Sequence, residues 1–203
     1  MILSMEAANT QSLTCVIPVS KMPNQLGRLS QTLIDCLIHN VYVVLVHDKQ
    51  DLETGKQIVA LEGFKQLSKV GMITFLEGSY NGPGPSRNVG LRVVRTRWLV
   101  FWDADDSPIV DEFVHLINSA EKIGAVSAIG SFQEIDFRSG VTLRTKIIDE
   151  RSNVALGAGM NPGLWRWAFR TSHISDHQFP EILMGEDQLF LIQVSPFSHR
   201  IYI

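Results

Sequence analysis

Residues 97–108 read RWLVFWDADDSP. An apolar run, Trp98 to Trp102, stops at three carboxylates: Asp103, Asp105 and Asp106. Carboxylates this close repel one another, so a positive group should offset them. If the extended conformation continues past Trp102, strand alternation puts Asp103 and Asp105 on one side. Two carboxylates aimed into one pocket can hold a divalent cation together with a ligand's phosphate oxygens. Acids after a strand can also cap the next helix or face solvent. For a lone Asp that plainer account would stand; D-A-D-D behind an apolar run argues against it, because like charges resist burial.

Other chemistry-bearing residues sit at similar places. Asp48 closes the apolar run Val41–Val46, and Pro18-Val19-Ser20 closes another. In open α/β sheets ligands bind beyond the carboxyl ends of the strands, so these three ends can share one crevice. An EF-hand loop starting at Asp103 fails, since it needs Gly and Glu where Pro108 and Val114 stand. A dinucleotide fingerprint in Gly82-Pro83-Gly84-Pro85-Ser86-Arg87 fails too, because Arg87 replaces the third glycine and the loop starts too long. A phosphohydrolase resembling the haloacid dehalogenase family would make Asp103 the nucleophile and Asp105 the acid. Its second, spaced acidic motif is missing, for MGEDQLFLI supplies only the adjacent pair Glu186 and Asp187.

Composition narrows the class. The chain has 203 residues, 45% of them hydrophobic and 19% charged, which suits one domain with a sizeable core. The net charge of −3 and scattered Lys and Arg speak against nucleic acid and a polybasic membrane patch. Cys15 and Cys36 have no ligand-like spacing, and two buried thiols suit a reducing, cytoplasmic setting. MILSMEAANTQS lacks the features of a signal peptide, and no apolar stretch approaches the length of a transmembrane helix. Peripheral membrane association stays open.

The elements that must position the acids follow from periodicity. Leu13–Pro18 reads as a strand ended by Pro18, and Leu26, Leu29, Leu33, Leu37 and Ile38 mark a helix stopped at Asn40. A strand over Val41–Val46, a helix over about Gly55–Lys69 and a strand over Met72–Leu76 come next. The loop EGSYNGPGP precedes a helix capped by Ser86 and running to about Thr96. Trp98–Trp102 is the fourth strand. Continuous apolar strands alternating with helices predict a parallel sheet covered on both faces. Beyond it, Val110–Ile123 reads as a helix, Ala125–Asp136 and Val141–Ile148 as a hairpin, Leu164–Phe169 as a strand, and a helix starts near Glu186. A short terminal segment, Arg200–Ile203, ends the chain.

Taken together, four stretches resemble the family 2 glycosyltransferases of GT-A fold: LTCVIPVSK, VVLVHDKQD, PSRNVGLRVVRTRWLVFWDADD and MGEDQLF. R-N-x-G followed by D-A-D-D is the most specific, and the likeness spans about residues 12–195. It implies one GT-A-like α/β domain over residues 1–203: a mostly parallel sheet with helices on both faces and a small mixed or antiparallel second part. The nucleotide-binding half would cover about 12–106 and the acceptor-side half about 107–203. The sequence departs from the family at His47-Asp48-Lys49-Gln50, which leaves Asp48 alone where a second acid usually follows. Q-x-x-R-W is absent, which favours non-processive transfer.

The resemblance also implies roles. Pro18, Val19 and Ser20 would line the nucleobase and ribose, and Asp48 would accept hydrogen bonds from the base. Arg87 would sit near the nucleotide and its neighbouring acids, unless it is a surface arginine at a helix start. Asp103, with Ala104, would meet the ribose, and Asp105 would bind Mn²⁺ or Mg²⁺ bridging the diphosphate. Asp187 would be the general base of an inverting transfer to an acceptor hydroxyl on a glycan, lipid-linked sugar or other compound, with Glu186 able to exchange roles. Its plainer role is at a helix start, where acids suit the macrodipole. The donor would be a nucleotide-diphosphate sugar, with UDP favoured. A non-catalytic nucleotide-sugar-binding protein is the alternative from another class. Trp165 and Trp167 would point to one side of a strand, as a sugar platform or as core. His173 and His177 read as structural or exposed, and so does His199 rather than a late metal ligand.

Overall fold

The computed structural model describes residues 12–20, 26–49, 52–136, 138–149, 163–182, 184–195 and 201–203. In the first half, β1 (Leu13–Val19), α1 (Leu26–Ile38), β2 (Tyr42–Asp48), α2 (Leu52–Ala60), α3 (Glu62–Lys69), β3 (Ile73–Gly78), α4 (Pro83–Val93) and β4 (Trp98–Phe101) alternate. Then come α5 (Val110–Lys122), β5 (Ser127–Ile129), β6 (Phe132–Ile135), β7 (Thr142–Lys146), β8 (Trp167–Arg170), α6 (Thr171–Ile174), α7 (Glu186–Val194) and β9 (Ile201–Tyr202).

The main sheet has seven strands in the order β3-β2-β1-β4-β8-β5-β9. Strands β1 to β4 pair in parallel, as their unbroken apolar runs predict, and β8 runs against both β4 and β5. One face packs Leu29, Leu33 and Cys36 of α1, Leu67 of α3 and Ile117 of α5 against Cys15, Val43 and Val100. The other packs Leu91 of α4 and Phe190, Leu191 and Val194 of α7 against Val16, Val44 and Phe101. Each fully buried leucine in these layers contributes about 2 kcal/mol. Cys15 and Cys36 are both buried and free, and burial pushes the Cys36 thiol up. Among the described residues no helix is long and apolar enough to cross a membrane.

Several boundaries differ from expectation for local reasons. Pro18 lies inside β1 rather than ending it. The Val16 carbonyl accepts from Trp102 N, so Pro18, in the same orientation, turns its missing N–H to the side where β4 has already stopped. The helix expected over Gly55–Lys69 is two, because Leu61 is extended (φ −61°, ψ 140°) between α2 and α3. Pro83 opens α4, so PGP belongs to the helix and not the loop, and proline at the first helical position loses no needed N–H. Ser86 is therefore not the cap; its hydroxyl donates to the Gly82 carbonyl within the first turn. Asn40 does end α1, in the left-handed conformation (φ 56°). Ile38 is 67% exposed and falls outside the buried face of α1.

The second half diverges more. The strand expected over Ala125–Asp136 is split, β5 joining the main sheet and β6 pairing with β7 as a separate antiparallel hairpin. Leu164–Arg166 is a 3₁₀ turn, so only Trp167–Arg170 is strand. Trp165 and Trp167 therefore do not share a face. Trp165 packs edge-on to Phe132, while Trp167 is buried on the opposite layer. Residues 150–162 and His199 lie outside the described residues.

Glu121 fastens α5 to the sheet. It accepts from Trp98 Nε1 at 2.7 Å, Arg170 Nη2 at 2.8 Å and Arg97 Nη1 at 3.3 Å. Burial opposes its charge, but the indole N–H and the two guanidinium groups outweigh burial and hold its carboxyl below the usual range. A depressed pKa contributes stability above the unfolded value that is lost as pH falls through the folded one. Glu121→Gln is therefore expected to cost about 1–2 kcal/mol near neutral pH. The deficit should close as pH drops below the ordinary carboxylate range, which urea titrations at stepped pH would show.

Candidate active site

The carboxyl ends of β1, β2 and β4 open onto one cleft of about 500 Å³, closed on its far side by the starts of α4 and α7. Pro18, Val19 and Ser20 reach it from β1, Asp48 from β2 and Arg87 from α4. Asp103, Ala104 and Asp105 reach it from the turn after β4, Glu186 and Asp187 from α7. Every site residue expected from the sequence thus lines the same hollow. The acid Asp106, the histidines His173 and His177 and the two tryptophans do not line it.

Arg87 is the link across the cleft floor. It is 4% exposed, and its Nη2 donates to Asp103 Oδ1 at 2.6 Å while Nη1 donates to Glu186 Oε1 at 2.9 Å. Its guanidinium carbon lies 5.5 Å from the centre of the Phe179 ring. Arg87 is therefore no surface arginine, and it supplies part of the positive charge that the acidic turn demands. The neighbouring Asn88 clamps the segment before α7: its Nδ2 donates to the Phe179 carbonyl at 2.9 Å and its Oδ1 accepts from Phe179 N at 2.8 Å. At Gly90, α4 lies so close on the sheet that a Cβ would run into Val16. R-N-x-G is thus a packing device as well as a charge device. The sequence marked Arg87 but missed Asn88 and Phe179, whose signal was the motif's asparagine.

The remaining acids differ in what holds them. Asp48 is 3% exposed and accepts from Tyr80 N at 3.4 Å. In the turn after β4, Asp106 N donates to the Asp103 carbonyl, and Arg28 Nη1 of α1 donates to the Asp105 carbonyl at 2.9 Å. Burial, then the charges of Asp103 and Asp105, push the Asp106 carboxyl up to about 7. Gly185 enters α7 with φ 84°, a conformation that suits glycine, and sets Glu186 and Asp187 in the first helical turn. Glu186 is buried against Arg87, whereas Asp187 is half-buried and its Oδ1 accepts the N–H of Gln188 at 2.8 Å.

Among the described residues no three His, Cys, Asp or Glu side chains are grouped to hold a metal alone. The exposed Asp105 and the 38%-exposed side chain of Asp103 offer one or two carboxylates at the cleft. That donor set fits a hard cation such as Mg²⁺ or Mn²⁺, which takes its other ligands from phosphate oxygens and water.

The family model for glycosyl transferase family 2 matches residues 14–200. No curated protein matches the chain. Among solved structures, S. aureus TarS 1–349 is 17% identical with a TM-score of 0.68, covering 95% of this chain and 57% of that one. The same TarS fragment in complex with UDP-GlcNAc is 18% identical, with a TM-score of 0.68 and coverages of 95% and 55%. The mannosyltransferase PcManGT from Pyrobaculum calidifontis, in complex with GDP-Man and Mn²⁺, is 13% identical, with a TM-score of 0.63 and coverages of 96% and 55%. These likenesses are of fold, the GT-A fold. The chain spans little more than half the length of these three structures and 35% of a longer TarS structure.

Removing Arg87 should leave two carboxylates facing each other without their cation. Arg87→Met is expected to destabilise the protein by about 3–5 kcal/mol, the range for breaking a buried pair. Asp103→Asn should cost less, since its side chain keeps 38% exposure and loses only one arm of the fork. Chemical denaturation of the two variants, with the double variant to close a cycle, checks both the size and the coupling.

Proposed function

The chain belongs to glycosyl transferase family 2, and from that premise we propose that it moves a sugar from a nucleotide-diphosphate sugar to an acceptor hydroxyl in a single, inverting, non-processive displacement. The observation that carries the proposal is the convergence of Asp48 from β2, Asp103 and Asp105 from the turn after β4, and Asp187 from α7 on one cleft. Solved structures of like fold hold UDP-GlcNAc, UDP, or GDP-Man with Mn²⁺. We take a UDP-sugar as the donor here.

In this reading the backbone of Pro18, Val19 and Ser20 approaches the nucleoside, and the buried carboxylate of Asp48 accepts hydrogen bonds from the base. Asp103 gives Oδ1 to Arg87 and keeps Oδ2 for the ribose hydroxyls. Asp105, with Asp103 beside it, would hold Mg²⁺ or Mn²⁺, which supplies neutralisation of the charge that develops on the departing diphosphate. Asp187 takes the proton of the acceptor hydroxyl as its oxygen forms a bond to the anomeric carbon and the bond to the diphosphate oxygen breaks. The Gln188 N–H on Oδ1 orients that carboxylate and leaves Oδ2 for the proton. Glu186 is engaged by Arg87, which favours Asp187 over Glu186 as the base. Likewise the ion pair on Asp103 disfavours it as the nucleophile of a phosphohydrolase.

Calorimetry should find UDP binding that depends on Mn²⁺, and Asp105→Ala should abolish the metal dependence. Asp187→Asn should lower transfer by about 10²–10⁴-fold while donor binding holds. Equal UDP affinity with and without metal would remove the site assignment. Donor binding with neither transfer nor hydrolysis across a broad acceptor panel would leave a binding protein. Phosphate released from simple phosphomonoesters would favour the phosphohydrolase.

A further inference from the structure

Arg28 stands in the first turn of α1, far along the chain from the acidic turn, yet its Nη1 lies 2.9 Å from the Asp105 carbonyl oxygen. No motif in the sequence marks it. We propose that Arg28 is a positioning residue for Asp105: by holding the carbonyl it sets the peptide plane from which the metal-binding carboxylate projects into the cleft. This role rests on the donor-binding reading given above.

Three features carry the assignment. The turn after β4, closed by the Asp106 N–H on the Asp103 carbonyl, sets three acids within four residues, and like charges that close repel one another. Arg87 restrains only the Asp103 side of that turn, from α4 on one face of the sheet. Arg28 restrains the Asp105 side from α1, which packs on the opposite face, so the turn is held from both layers. The tie is to the carbonyl and leaves the Asp105 carboxylate outside it. A cation placed there eases the repulsion among the acids without occupying the ligand oxygens. Groups that orient a metal-binding carboxylate commonly change metal affinity by about 10–100-fold when removed.

The test is a Mn²⁺ titration of the full chain with saturating UDP, followed by the loss of the free-ion paramagnetic resonance signal. Thermal melts in chelator run alongside. Arg28→Met should weaken Mn²⁺ binding by about tenfold. Its metal-free melting temperature should stay near that of the unaltered protein, and Arg28→Lys, which keeps a charged donor, should recover most of the affinity. Mn²⁺ binding by Arg28→Met within twofold of the unaltered protein overturns the role. So does a fall in metal-free melting temperature that accounts for the loss, or a lysine variant no better than methionine. Should the unaltered protein take up no Mn²⁺ with UDP, the donor reading itself fails and the role falls with it, a result told apart by needing no variant.

Discussion

One guanidinium shared by two carboxylates holds the cleft together. Arg87 reaches Asp103 on the sheet side and Glu186 on the helix side, and it is buried while doing so. Burying Arg87 and Glu186, with Asp103 beside them part-exposed, is costly unless geometry and hydrogen bonding are good. The planar fork of arginine meets that condition with two arms on two partners, and the Phe179 ring lies beneath it. A lysine ammonium is a point charge on a flexible stem and would not reproduce the fork. The start of α7, which carries Asp187, sits against the acidic turn because this bridge draws Glu186 there.

The rest of the neighbourhood serves the same closure. Asn88 locks the Phe179 backbone in both directions, and Phe179 then stacks on Phe190 of α7 at 3.9 Å between ring centres. Phe101, the last residue of β4, meets both rings edge-on. Aromatic contacts, an amide clamp and an ion pair thus run side by side from α4 to α7. The charged bridge needs this apolar packing, since exposure to water would weaken it, and the packing alone would not fix where Glu186 and Asp187 point.

Much of this was legible in the chain. Fully buried parallel strands are apolar throughout, so Val41–Val46 and Trp98–Trp102 announced themselves, and the acids at their ends marked the ligand side of the sheet. What escaped depended on partners distant in sequence. Pro18 extends β1 only because β4 stops short, and nothing local says so. The run Ala125–Asp136 divides because β8 claims Ser127–Ile129, leaving Phe132 to a hairpin. A 3₁₀ turn at Leu164–Arg166 separated two tryptophans that a strand would have aligned. The charge of the D-A-D-D turn demands a positive group; Arg87 and Arg28, from opposite layers, answer part of it within the fold.

That partial answer sorts the acids by availability. Asp103 and Glu186 are tied to Arg87, and Asp48 is sunk against the Tyr80 backbone. Asp106, with a carboxyl pushed up to about 7, relieves the turn of a full third charge near neutral pH. Outside that bridge stand Asp105 on the sheet side, exposed, and Asp187 on the helix side, half-buried. The proposed transfer, with a diphosphate on one wall and a hydroxyl on the other, would use this division: charge neutralised where it builds the walls, and negative charge kept where a cation or a proton has to be received. In the proposed transfer Arg87 would produce both, because the bridge that occupies Glu186 also sets Asp187 beside it at the cleft.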